Sequence, residues 1–360
     1  MNIAIIGAGL AGLSCALTLE KHGYSADIFE KRKKVGDRPV VGEVMSPLLH
    51  RPIDDAIKYL SEYHDIHLKP TTNIQRIFVH SPNETSFIEG HLGHTNKRGK
   101  DKTSYEKQLA EQVKSPIHLK KQVQYEEISK QYTHVVLATG DPLDTQSLQS
   151  FDTAFKATFA GAIVKGEFVH NEVHTWYDSE LVPKGLGYFL PFSNTEGHLV
   201  LVYPKYKENL TIDKGKLWKA ILKKAEQTLK QKLKVSQQFD LDNYVIGKSK
   251  YPRIGNTFFV GNCFGAIDPF LGFGQFTSIL TGIYAAQDLC GISNYEEDVQ
   301  ILYKNYHDSL SLRRKLESLN NDQLDLITKS LQYKPVRKLL TGSNINLLRV
   351  ISTLTHPSRR

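Results

Sequence analysis

Asn2-Ile3-Ala4-Ile5-Ile6-Gly7-Ala8-Gly9-Leu10-Ala11-Gly12 is the stretch that decides the fold. Asn2–Ile6 is a short apolar run that reads as a buried strand, and Leu10–His22 reads as a helix. Between them lies Gly-x-Gly-x-x-Gly. Gly7 permits the tight turn, Gly9 lets a pyrophosphate approach the backbone, and Gly12 lets strand and helix pack closely. Ala8, Leu10 and Ala11 complete the loop, whose free N–H groups at the helix start attract phosphate. Ser25–Phe29 reads as a second strand, followed at once by Glu30. A carboxylate there accepts hydrogen bonds from both hydroxyls of an adenosine ribose and repels a 2′-phosphate, so the pattern suits FAD or NAD rather than NADP. The glycine triad alone is a weak signal; with strand, helix and acid in register it is a strong one.

Composition sets the outer bounds. A chain of 360 residues is long enough for about two domains and a core around a bulky ligand. Hydrophobic residues make up 40% and charged residues 23%, which argues against disorder and against a membrane-embedded chain. The formal charge of +8 favours anionic partners without naming one. Three cysteines (Cys15, Cys263, Cys290) and no Cys-x-x-Cys rule out a disulfide framework. The start of the chain lacks a basic n-region and a cleavage pattern, so no signal peptide is expected, and a reducing cytoplasm is the default. The longest uncharged stretch, Pro269–Gln287, is broken by glycines and makes a poor bilayer span. The fourteen histidines are scattered and suggest no convincing metal cluster, and no nucleic-acid-binding motif is recognised.

Further along, Pro47–Tyr63 reads as a helix. Residues 74–79 and 85–89 read as a hairpin about Ser81-Pro82-Asn83. Thr103-Ser104-Tyr105-Glu106 has the form of a capping box opening a helix to Val113. His134–Thr139 reads as a buried strand. From Ala154 to Tyr203 short apolar and aromatic runs alternate with turns, as in a separate antiparallel sheet. Leu217, Ile221, Leu222, Ala225, Leu229 and Leu233 form one helical stripe, decorated by lysines from Lys214 to Lys234. Those lysines suit a solvated face; a peripheral contact with an anionic membrane is the sharper alternative. Thr257–Val260 reads as strand, Gln275–Leu289 as helix, and the chain beyond 290 as helical, with basic residues at Arg313, Arg314, Lys315, Arg337, Lys338, Arg349, Arg359 and Arg360. The expected fold class is therefore α/β: a discontinuous Rossmann-type FAD-binding domain from 1–70, 95–150 and 250–290, an inserted antiparallel β-sheet substrate domain from 71–94 and 151–249, and a C-terminal helical segment, 291–360.

Two later segments join the N-terminal motif. One is the strand ending in Ala138-Thr139-Gly140. The other runs Gly261-Asn262, then Asp268-Pro269, then Gly272-Phe273-Gly274-Gln275. Together the three resemble the flavoprotein family of p-hydroxybenzoate hydroxylase, the geranylgeranyl reductases and the flavin-dependent halogenases, over roughly residues 1–290. The resemblance implies FAD as cofactor. It assigns ribityl contacts to Gly261 and Asn262, contacts with the flavin ring to Pro269, Gly272 and Gly274, and a place in the same cofactor motif to Asp268. It also implies cofactor contacts at Lys31 and Val123. Asn262 stands where the family carries Asp, and an amide can still donate to and accept from hydroxyls. Independently of the family, the helix starting at Gly274-Gln275 has its positive end free for the N1–C2=O edge of a reduced flavin.

Val40-Val41-Gly42-Glu43 and Lys97-Arg98-Gly99 resemble segments of the geranylgeranyl reductase branch, which makes Arg38, Glu43 and Arg98 candidate cofactor contacts. Gly187-Tyr188-Phe189-Leu190-Pro191-Phe192 resembles the aromatic segment of those reductases and lacks the halogenase Trp-x-Trp pattern. Tyr188, Phe189 and Phe192, with Trp176 and Tyr177, are the candidate lining of an apolar pocket. No second Gly-x-Gly-x-x-Gly exists, so a transient NAD(P)H or a protein donor is the expected reductant, with hydride passing through flavin N5. The resulting expectation is an FAD-dependent oxidoreductase acting on a small apolar substrate, isoprenoids among the candidates. The alternatives are an NAD(P)H- and O₂-dependent monooxygenase of the same fold, and a non-catalytic or flavin-less member.

Overall fold

The computed structural model describes residues 1–46 and 50–342. Its centre is a parallel sheet. Strand Ile3–Ile6 lies between Asp27–Glu30 and His134–Leu137, with Ile5 beside both Ile28 and Val136. Thr257–Phe259 extends one edge, Phe259 beside Leu137, and Ile117–Leu119 extends the other. These strands are short and nearly all apolar because helices cover both faces. The helix Leu10–Lys21 crosses the helix Gln275–Leu289 almost backbone to backbone. A Cβ on Gly282 would stand 2.1 Å from the Ala11 carbonyl oxygen, so only glycine allows the approach.

The second sheet runs in the order Lys234–Ser249, Phe151–Lys165, Glu196–Pro204, Leu186–Pro191, Glu172–Trp176, Arg76–His80, Thr85–Glu89. It is antiparallel except where Glu172–Trp176 runs parallel to Arg76–His80. The hairpin expected about residue 82 is present, Ile77 facing Ile88. The strand Lys234–Ser249 was not read from the sequence. Its polar and charged residues mask the alternation, and it is held by its long pairing with Phe151–Lys165. Helix Lys214–Leu229 covers one face, burying Ile221 and Ala225; Lys230 ends it with φ 54°, so Lys230, Lys232 and Lys234 lie beyond the helix they were expected to decorate. A three-stranded sheet, Val41–Met45, His94–Arg98 and Thr72–Asn73, lies between the larger ones.

Two local readings need correction. The helix expected from Pro47 begins only at Ala56, because Asp55 caps it through Oδ1, which accepts from the N–H groups of Ile57 (2.8 Å) and Lys58 (3.0 Å). Residues 47–49 lie outside the described residues. The capping box at Thr103 does not form. The helix is Tyr105–Gln112, Ser104 precedes it without a side-chain cap, and Glu106 turns to arginines instead.

The tail is helical through Gln300–Glu317, Asn321–Ser330 and Lys334–Gly342. It docks on the second sheet. Buried Arg313 pairs with Glu317 and donates to the Lys184 carbonyl at 2.7 Å, and Asp325 accepts from Asn83 Nδ2 at 2.8 Å. Arg337 lies over Phe87; Arg349, Arg359 and Arg360 lie outside the described residues. Among the described residues no helix is long and apolar enough to cross a membrane.

Candidate functional site

The glycine loop, the Ala138-Thr139-Gly140 strand end and the Gly261 block meet at the carboxyl end of the parallel sheet. Gly7, at φ 114°, packs so tightly that a Cβ would lie 2.2 Å from the Ala138 oxygen. A Cβ on Gly12 would lie 2.1 Å from the Gly7 oxygen. Gly261, at φ 61°, sits over Ala11, and its N–H donates to Thr281 Oγ1 at 2.9 Å. The three segments thus form one rim, as the crevice beyond the strand ends of an α/β sheet requires.

Glycines on this rim fall into two kinds. Gly7 and Gly12 face protein. Gly9, Gly140 and Gly272 face open space, with nothing within 4 Å of where a Cβ would be. Gly9 caps the first helix without any side-chain partner, which leaves its first N–H groups to an outside acceptor. Glu30 is held ready beside it. Its Oε2 accepts from Ala8 N–H at 3.1 Å and its Oε1 from Arg32 N–H at 2.9 Å. Lys31 is exposed, and half-buried Val123 packs against the apolar cluster that holds Ala4, Ile6 and Leu137.

Asn262 donates through Nδ2 to the Gly140 carbonyl at 2.9 Å and to the Tyr244 hydroxyl at 3.2 Å. That explains the departure from Asp: an ionised carboxylate has no proton to give a carbonyl. Asp268 closes its own turn, accepting from Phe270 N–H (2.9 Å) and Leu271 N–H (2.8 Å) ahead of Gly272, and burial pushes its carboxyl up to about 6. Pro269 is buried beside it. Gln275, first residue of its helix, exchanges two 2.8 Å hydrogen bonds with Asn96, so both amides are buried and satisfied.

Arg38, Glu43 and Arg98 come together around Glu106, the residue whose spacing from Thr103 suggests a capping box. Glu106 is 1% exposed, and its Oε1 accepts from Arg98 Nε at 2.8 Å and Arg38 Nη2 at 3.0 Å. Arg98 Nη1 also donates to Glu43 Oε2 at 3.0 Å. Burial alone would raise the Glu106 carboxyl, but the two guanidinium groups outweigh it and hold it below its usual range.

The aromatic candidates divide between the two faces of their sheet. Successive strand residues point oppositely. Phe189 and Trp176 therefore enter the core beneath helix Lys214–Leu229, with Ile221 and Leu199, and do not share a pocket with Tyr188. Tyr188 packs with Val44 and Phe273 on the face toward the rim. On that same face Phe192 stacks against His198, a histidine the sequence reading passed over. His198 is fully buried between Phe192 and Phe239; its Nδ1 accepts from Gly42 N–H at 3.0 Å, and burial pushes its pKa down to about 3. The ring is neutral, with the remaining proton on Nε2, which has no partner among the described residues. The sequence signal was the alternation Gly197-His198-Leu199, which puts His198 opposite the core leucine.

FAD fits this arrangement. The loop offers unpartnered N–H groups beside open space at Gly9, Glu30 is oriented next to it, and Gly140 and Gly272 keep the rim clear of side chains. The fold is that of the FAD-dependent oxidoreductases, a parallel-sheet nucleotide domain with an antiparallel sheet laid against it.

Comparison with known proteins agrees. Residues 1–162 match the family described as Pyridine nucleotide-disulphide oxidoreductase. Among solved structures, a geranylgeranyl bacteriochlorophyll reductase-like protein from Thermoplasma acidophilum superposes with a TM-score of 0.72 at 15% identity, over 98% of this chain and 94% of that one. A flavoprotein/dehydrogenase from Cytophaga hutchinsonii gives 0.65 at 15% identity over 98% of each chain, and the flavin-dependent brominase Bmp2 gives 0.65 at 14% over 98% of each. At such identities the likeness is one of fold. A methylenetetrahydrofolate–tRNA-(uracil-5-)-methyltransferase from Lawsonia intracellularis is 56% identical over 34 residues, which is 9% of this chain and 8% of that protein.

Proposed function

We propose that the protein is an FAD-dependent oxidoreductase that transfers hydride to or from an apolar substrate, in the manner of the geranylgeranyl reductases. The observation that carries the reading is the pairing of Glu30, fixed on the Ala8 N–H, with the open backbone at Gly9. A carboxylate and a bare helix start are what the two ends of an adenosine diphosphate need. Bound FAD would supply the redox chemistry itself. The chain's residues bind and orient. Glu30 takes the ribose, the N–H groups after Gly9 take the pyrophosphate, and Asn262 faces the ribityl chain. Tyr188 and Phe192 face the apolar side, with neutral His198 sealed behind Phe192, where the absence of charge suits a hydrocarbon substrate. NAD(P)H is the proposed source of electrons.

The test starts with colour. Protein purified with a flavin spectrum, or apoprotein that takes up FAD stoichiometrically, supports the reading; a colourless protein that refuses FAD removes it. Single turnovers of the reduced protein then separate the two chemistries. Anaerobic reoxidation by an isoprenoid double bond marks a reductase, whereas product formed only with O₂ marks a monooxygenase.

A further inference from the structure

Asp55, His91 and His94 form a group that the flavin reading does not use. Asp55 divides its two oxygens. Oδ1 caps the helix Ala56–His64, while Oδ2 stands 3.1 Å from His91 Nε2 and 3.2 Å from His94 Nε2. His94 is buried at the start of strand His94–Arg98, and its Nδ1 lies 2.9 Å from Asn73 Oδ1. With the Asn73 amide oxygen turned to the ring, Nδ1 carries the proton and donates it. In a neutral ring, Nε2 then turns a lone pair toward a carboxylate oxygen that also has only lone pairs. Two acceptors at 3.2 Å repel unless a proton or a cation lies between them. A metal ion uses the lone pairs of all three side chains at once. The three donor atoms lie within 4.8 Å of one another. Ligand atoms on a tetrahedral zinc, at about 2.0–2.1 Å from the ion, are about 3.3 Å apart, so the two Asp–His separations need to change by only a few tenths of an ångström, while the His91–His94 edge, within 4.8 Å, closes by a turn of the exposed His91 ring.

We propose that Asp55 Oδ2, His91 Nε2 and His94 Nε2 bind a divalent transition-metal ion of the zinc class, with Asn73 as the outer partner that fixes the His94 tautomer. Two imidazoles select against magnesium and calcium, which prefer oxygen. Three protein ligands leave a position for water, and exposed His91 is the side from which the ion enters. The ion ties the capped start of helix Ala56–His64 to strand His94–Arg98. The histidines are only three residues apart, but the carboxylate comes from a distant segment, so sequence spacing alone did not reveal the set.

The test uses tag-free, full-length protein stripped with EDTA, reloaded with Zn(II) or Co(II), freed of excess metal by gel filtration and assayed by elemental analysis. One equivalent is expected to remain, and the Co(II) form should show the visible d–d bands of a four- or five-coordinate site. His91→Ala and Asp55→Asn should each weaken binding at least tenfold. Asn caps a helix as well as Asp does, so Asp55→Asn should leave the thermal midpoint of the metal-free protein unchanged. Asn73→Ala should weaken binding about 10–100-fold, as loss of an outer partner does. Flavin content, read separately, should not follow the metal. Wild-type protein that retains no metal, or metal retention that survives both His91→Ala and Asp55→Asn, would overturn the proposal and leave the trio as a charged helix cap.

Discussion

Alanine at Gly9 and alanine at Gly12 should fail in different ways. Gly12 lies inside helix Leu10–Lys21, where alanine gains up to about 1 kcal/mol in helix propensity. Its Cβ, however, would stand 2.1 Å from the Gly7 oxygen, 3.1 Å from Ile5 Cγ2 and 3.3 Å from Ala138 Cβ. The first of these is backbone and must move by about 1 Å. Overpacking of this kind costs about 1–3 kcal/mol, and a backbone clash belongs at the upper end. Net of propensity, G12A should lose about 2 kcal/mol and a few degrees of Tm, and FAD with it. Gly9 is the opposite case. It is extended, at φ −90° and ψ −172°, and its Cβ would meet nothing within 4 Å. Alanine there costs only the poorer cap, about 0.5–1 kcal/mol. Its methyl group would occupy the space through which a pyrophosphate reaches the helix N–H groups. Losing one or two charge-assisted hydrogen bonds, at about 1.5–3 kcal/mol each, amounts to about 3 kcal/mol, or a hundredfold in Kd. Urea titrations and FAD binding by fluorescence quenching would measure both quantities in both variants. If G9A bound FAD within threefold of wild type, the ligand would not pass that loop and the site would be misassigned. If G12A kept full stability, the close packing would not be what holds the rim together.

Other outcomes are expected. Glu30→Gln keeps only one of two acceptors for Ala8 and Arg32; it should weaken FAD about tenfold in the same titration and, by leaving a backbone N–H unpaired, cost about 1–3 kcal/mol of stability. Asn262→Asp, although it restores the family residue, should lose about 0.5–1.5 kcal/mol in a urea titration, because the Gly140 carbonyl exchanges its amide donor for water beside a carboxylate; a gain in stability would refute this account. Glu106→Gln should cost about 3 kcal/mol by removing the charge shared by Arg98 and Arg38. The Glu106 carboxyl is held low in the folded protein, so its contribution is full above the unfolded pKa of about 4.5 and is lost as pH falls through the lower folded value; the variant should be correspondingly less sensitive to acid. His174 and His198 are both pushed down to about 3 by burial, so the folded state keeps them neutral while the unfolded chain binds protons below about pH 6.5. Stability should then fall by about 2 kcal/mol per histidine between pH 7 and pH 5. Urea midpoints at the two pH values would show it, and an unchanged pH slope in His198→Phe would rule out that histidine's share.

Local chemistry was legible in the sequence. The glycine loop, Glu30, the Ala138-Thr139-Gly140 strand end and the helix Gln275–Leu289 each carry their reason within a few residues. A turn needs glycine, a helix start needs phosphate or a cap, and a buried parallel strand is apolar throughout. The same local logic misled at Glu106. The spacing from Thr103 is that of a capping box, yet Arg98 on the preceding strand and the distant Arg38 together offer a carboxylate more than one backbone N–H does. Likewise Pro47 suited a helix start, but the Asp55 cap decides where that helix begins.

The sequence by itself determined that a strand, a glycine turn and a helix of the dinucleotide-binding pattern open this chain and that a parallel sheet supports them, because the three are consecutive. Tertiary structure alone decided which aromatics face the rim, because the pairing register assigns Tyr188 and Phe189 to opposite faces. It also decided what surrounds Arg98, why position 262 carries an amide, and that Asp55 meets His91 and His94. Each of these depends on groups contributed by segments far apart in the chain, and no spacing within one segment encodes a distance to another.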